Sequence, residues 1–191
     1  MVQNLIRLSG ESHDSEVVAY GMDVIYSGLA ALLLLLLTGW ASHHLPETLV
    51  YIVSHFLLVR VMGGYHAHTR PGCILLTSAM CFFCIWISDM VWNTVSAGDI
   101  AVSYIVYFFC VFRLAPAEHP KKKLSRETYR KSRKRSLFYM AAAYLVVMIF
   151  WITDRRMACV FWVNISEIVI SMIIGKEVYV HAERTSSKAD S

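Results

Sequence analysis

Six apolar stretches set the terms for anything this chain can fold into. They cover roughly 24–41, 45–61, 73–91, 100–115, 137–152 and 157–174, each 16 to 19 residues long. As helices rising 1.5 Å per residue they reach roughly 24–28 Å, a little short of the ~30 Å hydrocarbon core of a bilayer, so their ends borrow interfacial residues. The first holds the run LLLLLL. The second, LPETLVYIVSHFLLVRV, carries Ser54 and His55 and is the least apolar in character. Lipid offers an open backbone no hydrogen-bond partner, so all six are predicted to be helical. Composition agrees: 57% of the 191 residues are apolar and only 17% are charged, where a soluble domain carries about a quarter. The expected architecture is an all-α, polytopic membrane bundle of about six transmembrane helices, one domain over 1–191.

Charge orients the bundle. Sixteen of the eighteen Lys and Arg fall on the side that holds both termini and the loops 60–72 and 113–136; Arg155 and Arg156 alone fall on the other. Lys and Arg mark the cytoplasmic side, so both termini are expected to be cytoplasmic and the 60–72 loop to lie at the inner membrane surface. The first twenty residues carry Glu11, Asp14 and Glu16, the wrong charge for a cleavable leader. Residues 1–22 are read as an amphipathic surface segment, with Val2, Leu5 and Ile6 at helical spacing. Residues 176–191 are read as a flexible polar tail.

The basic stretch 113–136 is read as an inside-positive cytoplasmic loop. It also suits anionic lipid or an acidic peptide, with Lys121, Lys122 and Lys123 as candidate contacts. Its single aromatic, Tyr129, offers nucleobases little to stack on, so no nucleic-acid partner is expected. Five cysteines (Cys73, Cys81, Cys84, Cys110 and Cys159) make an odd count, mostly inside spans, and no disulfide framework follows. Cys81 and Cys84 are read as inert packing thiols.

The polar island GGYHAHTRPGC, residues 63–73, interrupts this apolar chain. Pro71 suits a first helical turn, which places Thr69 or Arg70 at the cap and Cys73 within that turn. Free N–H groups, the helix dipole and the neighbouring Arg70 all favour a thiolate there. His66 is the imidazole able to take the proton. Extended, seven residues span more than about 20 Å, so His66 and Cys73 meet only if the chain folds back. Gly63-Gly64 and Pro71-Gly72 permit such turns. The Gly63 and Gly64 amides are candidate donors to an oxyanion of acyl transfer. Glycines here also suit close packing alone. A zinc site of His66, His68 and Cys73 lacks a fourth ligand; His68 is read as a polar loop residue, and no metal or cofactor is expected. The group orienting His66 is left open between Asp23 and Glu167, the latter an ionisable side chain inside a span. Two other functions stay in play: a peptide transporter or exporter lined by His55, Asn164 and Glu167, and a non-enzymatic membrane anchor working through the basic loop.

The stretch RVMGGYHAHTRPGC resembles the accessory gene regulator B family through Arg60, Gly64, His66 and Cys73. RLAPAEHPKKK is similar to a second signature of that family, through Ala115, Pro116 and Lys121 to Lys123, and SEVVAYGMDVI through Tyr20-Gly21. The resemblance implies a six-span cysteine endopeptidase of the bacterial cell membrane, with its active site at the cytoplasmic face. Such an enzyme cuts a quorum-sensing precursor peptide on its C-terminal side and passes through a thioester towards a thiolactone or lactone ring. It implies Cys73 as nucleophile and His66 as base, with Arg60 and Gly64 in support. The partners it implies are the precursor peptide, membrane lipids and a second copy of the chain in a homodimer.

Overall fold

A computed structural model describes residues 15–65, 69–115 and 125–189. They form six helices: α1 Ser15–Ala41, α2 Leu45–Met62, α3 Arg70–Val91, α4 Ala97–Leu114, α5 Arg126–Thr153 and α6 Arg155–Ala189. All six are long and apolar enough to cross a membrane, as a multi-pass membrane protein requires, and no strand occurs among the described residues.

The boundaries follow local chemistry. Pro46 sits in the first turn of α2 and Pro71 in that of α3, where a missing N–H costs nothing. Ser96 and Asp99 cap α4 reciprocally, the Asp99 N–H donating to Ser96 Oγ at 3.2 Å and the Ser96 N–H to Asp99 Oδ2 at 2.9 Å. Three boundaries depart from the sequence reading. α5 starts at Arg126, capped by Ser125, whose hydroxyl accepts from the Thr128 N–H at 3.3 Å, so residues 126–136 of the basic stretch are helix. Its Arg, Lys and Glu are good helix formers, and Glu127 and Lys131 pair one turn apart at 2.7 Å. α6 continues to Ala189, through the residues read as a flexible tail. α1 already runs from Ser15, within the stretch read as a separate surface segment.

α6 is the axis of the bundle. It packs against α2, α3, α4 and α5, while α1 lies outside on α2 and α3. Half of the α6 span is buried, against 12% of the α1 span. Two apolar clusters meet on it. One joins Met62, Tyr104, Val111, Met140 and Val147 to Ile165, Ile168 and Met172. The other joins Leu35, Tyr51, Cys81, Cys84 and Ile85 to Val160 and Val163. Leu33, Ile105, Phe138, Leu145 and Ile152 point outward, as side chains facing lipid do.

The antiparallel pair α3 and α6 has a readable register. At one end Arg156 meets Asp89 at 2.6 Å, and further in the Cys84 thiol donates to the Val160 carbonyl at 3.4 Å. Arg156 also lies 3.4 Å from Glu47, and His44 lies 3.3 Å from Asp89. One guanidinium thereby ties the starts of α2 and α6 to the end of α3.

Candidate active site at the start of α3

The site grows from the far ends of the same helices. α2 stops at Gly63, whose φ of 74° is left-handed, a conformation glycine takes without steric cost. The Gly63 N–H closes the last turn on the Val59 carbonyl at 2.9 Å. That bond takes Gly63 out of the expected oxyanion donors, because its hydrogen points back along its own helix. Ser136 of α5 secures the same helix end by donating to the Val61 carbonyl at 3.0 Å. Arg60 is exposed on the last turn of α2.

Past Gly63 the chain sits down on α6. The Tyr65 N–H donates to Ser171 Oγ at 3.0 Å. A Cβ built on Gly64 would lie 3.1 Å from that same oxygen, and one on Gly175 would lie 3.1 Å from Tyr65 N and 3.2 Å from Gly64 C. Two glycines thus bring the turn and the helix to backbone contact, one residue of each surface being too small to hold the other off. Sequence reasoning did not single out Ser171 or Gly175. The signal available was the small-x-x-x-small spacing of SMIIG.

The chain resumes at Thr69, which caps α3: the Gly72 N–H donates to its hydroxyl at 3.3 Å and the Cys73 N–H to its carbonyl at 3.0 Å. Thr69 is therefore the cap, and Cys73 closes the first turn. Its carbonyl accepts from the Thr77 hydroxyl at 3.0 Å. Cys73 is half-buried and outside any disulfide. Eleven residues before Cys84 on α3 is Cys73, and eleven after Val160 on α6 is Ser171. The register therefore sets Cys73 level with the serine that holds the Gly64–Tyr65 turn. His66, His68 and Lys121, Lys122 and Lys123 lie outside the described residues.

The candidates deeper in the bundle divide. His55 and Asn164 meet at 3.1 Å, and Asn164 donates to Ser54 Oγ at 2.6 Å. This is a closed contact between α2 and α6, with His55 stacked on Tyr51 at 5.0 Å between ring centroids. Glu167 is half-buried on α6, with Oε2 shielded and lacking a hydrogen-bond partner among the described residues. Asp23 is exposed on α1.

Comparison with known proteins fits this arrangement. The chain is 22% identical over 163 residues to a protein named as AgrB-like from Clostridium perfringens strain 13, covering 77% of this chain and 75% of that one. A second AgrB-like protein, from C. perfringens strain SM101, is 22% identical over 191 residues, covering 92% and 87%. No solved structure matches. The sequence model of accessory gene regulator B matches residues 1–175, from before α1 to the glycine that seats the turn, and this chain belongs to the accessory gene regulator B family.

Proposed function

We propose that this protein is a membrane cysteine endopeptidase that cuts a quorum-sensing precursor peptide on its C-terminal side. The observation that carries the reading is the position of Cys73. It closes a capped first turn, level with a glycine turn held on α6, in a chain of the accessory gene regulator B family. The positive end of the helix dipole favours a thiolate in the first turn. The turn tied at Tyr65 and the cap at Thr69 bracket the segment that carries His66.

In the reaction, His66 takes the Cys73 proton and the thiolate attacks the scissile carbonyl carbon. Electrons move onto the carbonyl oxygen, where the Gly64 amide is the remaining glycine donor of the island. The C–N bond breaks, His66 returns the proton to the departing amine, and a thioester joins the peptide to Cys73. A thiol or hydroxyl within the peptide then displaces the sulfur, closing a thiolactone or lactone ring; attack by water gives a linear acid instead. Closeness to lipid limits water and favours the ring. Arg60 supports the site, Lys121, Lys122 and Lys123 receive the peptide, the protein works as a homodimer, and the site faces the cytoplasm of a bacterial cell.

The test uses protein purified into bilayers with a candidate precursor peptide. Cys73→Ala, Cys73→Ser and His66→Ala should each abolish cutting while helical content by circular dichroism is unchanged. Mass spectrometry should find an acyl adduct on Cys73 in the wild type. Cutting at the wild-type rate by Cys73→Ala would overturn the mechanism.

A further inference from the structure

The proposed chemistry leaves a cluster of positive charge unused. Seven Lys and Arg lie among the described residues of 113–136, against one acid, Glu127, which pairs with Lys131. Ser136 donates to the Val61 carbonyl, so these cations stand at the end of the bundle that carries Cys73. Two of them are fixed on aromatic rings. The Phe112 carbonyl lies in the last turn of α4, and the residue four ahead is Pro116, which has no N–H to give it. The Arg133 guanidinium of α5 donates to that carbonyl instead and lies over the Phe112 ring, 4.4 Å from its centroid. Arg113, the next residue of α4, lies over the Phe109 ring at 5.1 Å. Phe109 and Phe112 are neighbours one turn apart on α4, with Cβ atoms about 5–6 Å from each other. Both rings face outward, 57% and 46% exposed, so lipid is what covers them.

α5 flanks this pair with two more cations. Arg130 comes three residues before Arg133 and four before Lys134, so the three are neighbours on the helix surface. No carboxylate among the described residues pairs with Arg113, Arg130, Arg133 or Lys134. The depth is that of a headgroup layer: Arg133 and Lys134 stand about one turn, or 6 Å, beyond Leu137 and the 71% exposed Phe138, where the apolar face of α5 begins. A guanidinium stacked on a ring still presents its edge N–H groups, and a phosphate accepts two of them at once. A headgroup that also carries an ammonium would meet like charge here, and a soluble anion would leave the two rings unmatched. We propose that Arg113 and Arg133, flanked by Arg130 and Lys134, bind the phosphate of an anionic phospholipid whose chains lie along Phe109 and Phe112. The site serves the bundle as a membrane protein and stands independently of the peptidase reading.

The test counts bound lipid. Full-length protein in detergent is titrated with phosphatidylglycerol or with phosphatidylcholine of the same chains, and the complexes are weighed by native mass spectrometry. The first phosphatidylglycerol should bind at least about ten-fold more tightly than the first phosphatidylcholine. Arg113→Gln and Arg133→Gln should each lower that ratio about five-fold; Arg113→Gln leaves the bond to the Phe112 carbonyl in place. Arg135→Gln removes the same charge two residues, about 200°, around α5 from Arg133, and should leave the ratio unchanged. Equal binding of the two lipids would overturn the site, and so would an equal loss in Arg135→Gln, which means diffuse attraction. Displacement of the lipid by glycerol phosphate or by a ten-residue glutamate peptide at equal concentration would overturn it as well. Cys73→Ala should keep the wild-type ratio, so a failure of the peptidase and a failure of this site read out separately.

Discussion

Replacing Gly175 with alanine tests whether the contact between the turn and α6 sets the reaction geometry. The new Cβ would sit 3.1 Å from Tyr65 N, 3.2 Å from Gly64 C and 3.3 Å from Tyr65 Cα. All three are backbone atoms, so a rotamer change cannot relieve the crowding, and the turn must move by about 0.3–0.5 Å. Two effects on stability oppose each other. Alanine within a helix gains about 0.8–1.0 kcal/mol over glycine, and overpacking costs about 1–3 kcal/mol, leaving a net loss of about 0–2 kcal/mol. Chemistry is more sensitive: if a 1 Å misplacement costs about 100-fold, a shift of this size costs about 4- to 10-fold. Gly175→Val, with two more methyls in the same space, should lose more than about 100-fold on the same scale. The control is Gly28→Ala, whose Cβ meets nothing within 4 Å and which should cut at the wild-type rate. The assays are the initial rate of precursor cutting in proteoliposomes, the alkylation rate of Cys73, and Tm in detergent. Wild-type cutting by Gly175→Ala, or an equal slowing in Gly28→Ala, would refute the reasoning.

Three other outcomes are expected. Thr69→Ala removes the cap of α3 and should cost about 1 kcal/mol, with a changed alkylation rate at Cys73 that Thr69→Ser restores; both are read by Tm and by timed labelling. Arg156→Ala leaves Glu47 and Asp89 facing each other without their guanidinium. It should lower stability by about 1–3 kcal/mol, between the exposed and buried limits for ion pairs, with Cys73 labelling unchanged. Asn164→Leu strips His55 and Ser54 of their shared partner and should destabilise by about 1–3 kcal/mol, visible as a fall in Tm, while cutting by the folded fraction persists. Loss of cutting at full stability would favour a functional path through these residues.

The six spans were legible because lipid imposes a coarse requirement that hydropathy measures directly. The capped start of α3 was legible too, since threonine, proline and glycine within four residues encode a local event. Helix ends in polar sequence were not. Arg126 to Ser136 forms helix through propensity and a serine cap, signals that a charge-rich stretch hides from a hydropathy reading. The bond of the Gly63 amide to the Val59 carbonyl was not legible either, because a sequence does not say whether a helix has used its last N–H. Ser171 and Gly175 resembled ordinary filler in an apolar run, and only the opposing Gly64–Tyr65 backbone gives them meaning. Glu47, Asp89 and Arg156 are scattered along the chain, and nothing short of the packed bundle brings them together.

α6 joins the salt-bridged cluster at Arg156 to the seat at Gly175 as one unbroken rod. At 1.5 Å per residue the two points are about 28 Å apart, so a tilt of 5° about the first would swing the second by about 2.5 Å. Transmembrane helices tilt to suit local bilayer thickness, and reactive distances tolerate far less than that swing. Lipid chain length should therefore act as a throttle on turnover, felt through a lever whose fulcrum lies on the opposite leaflet.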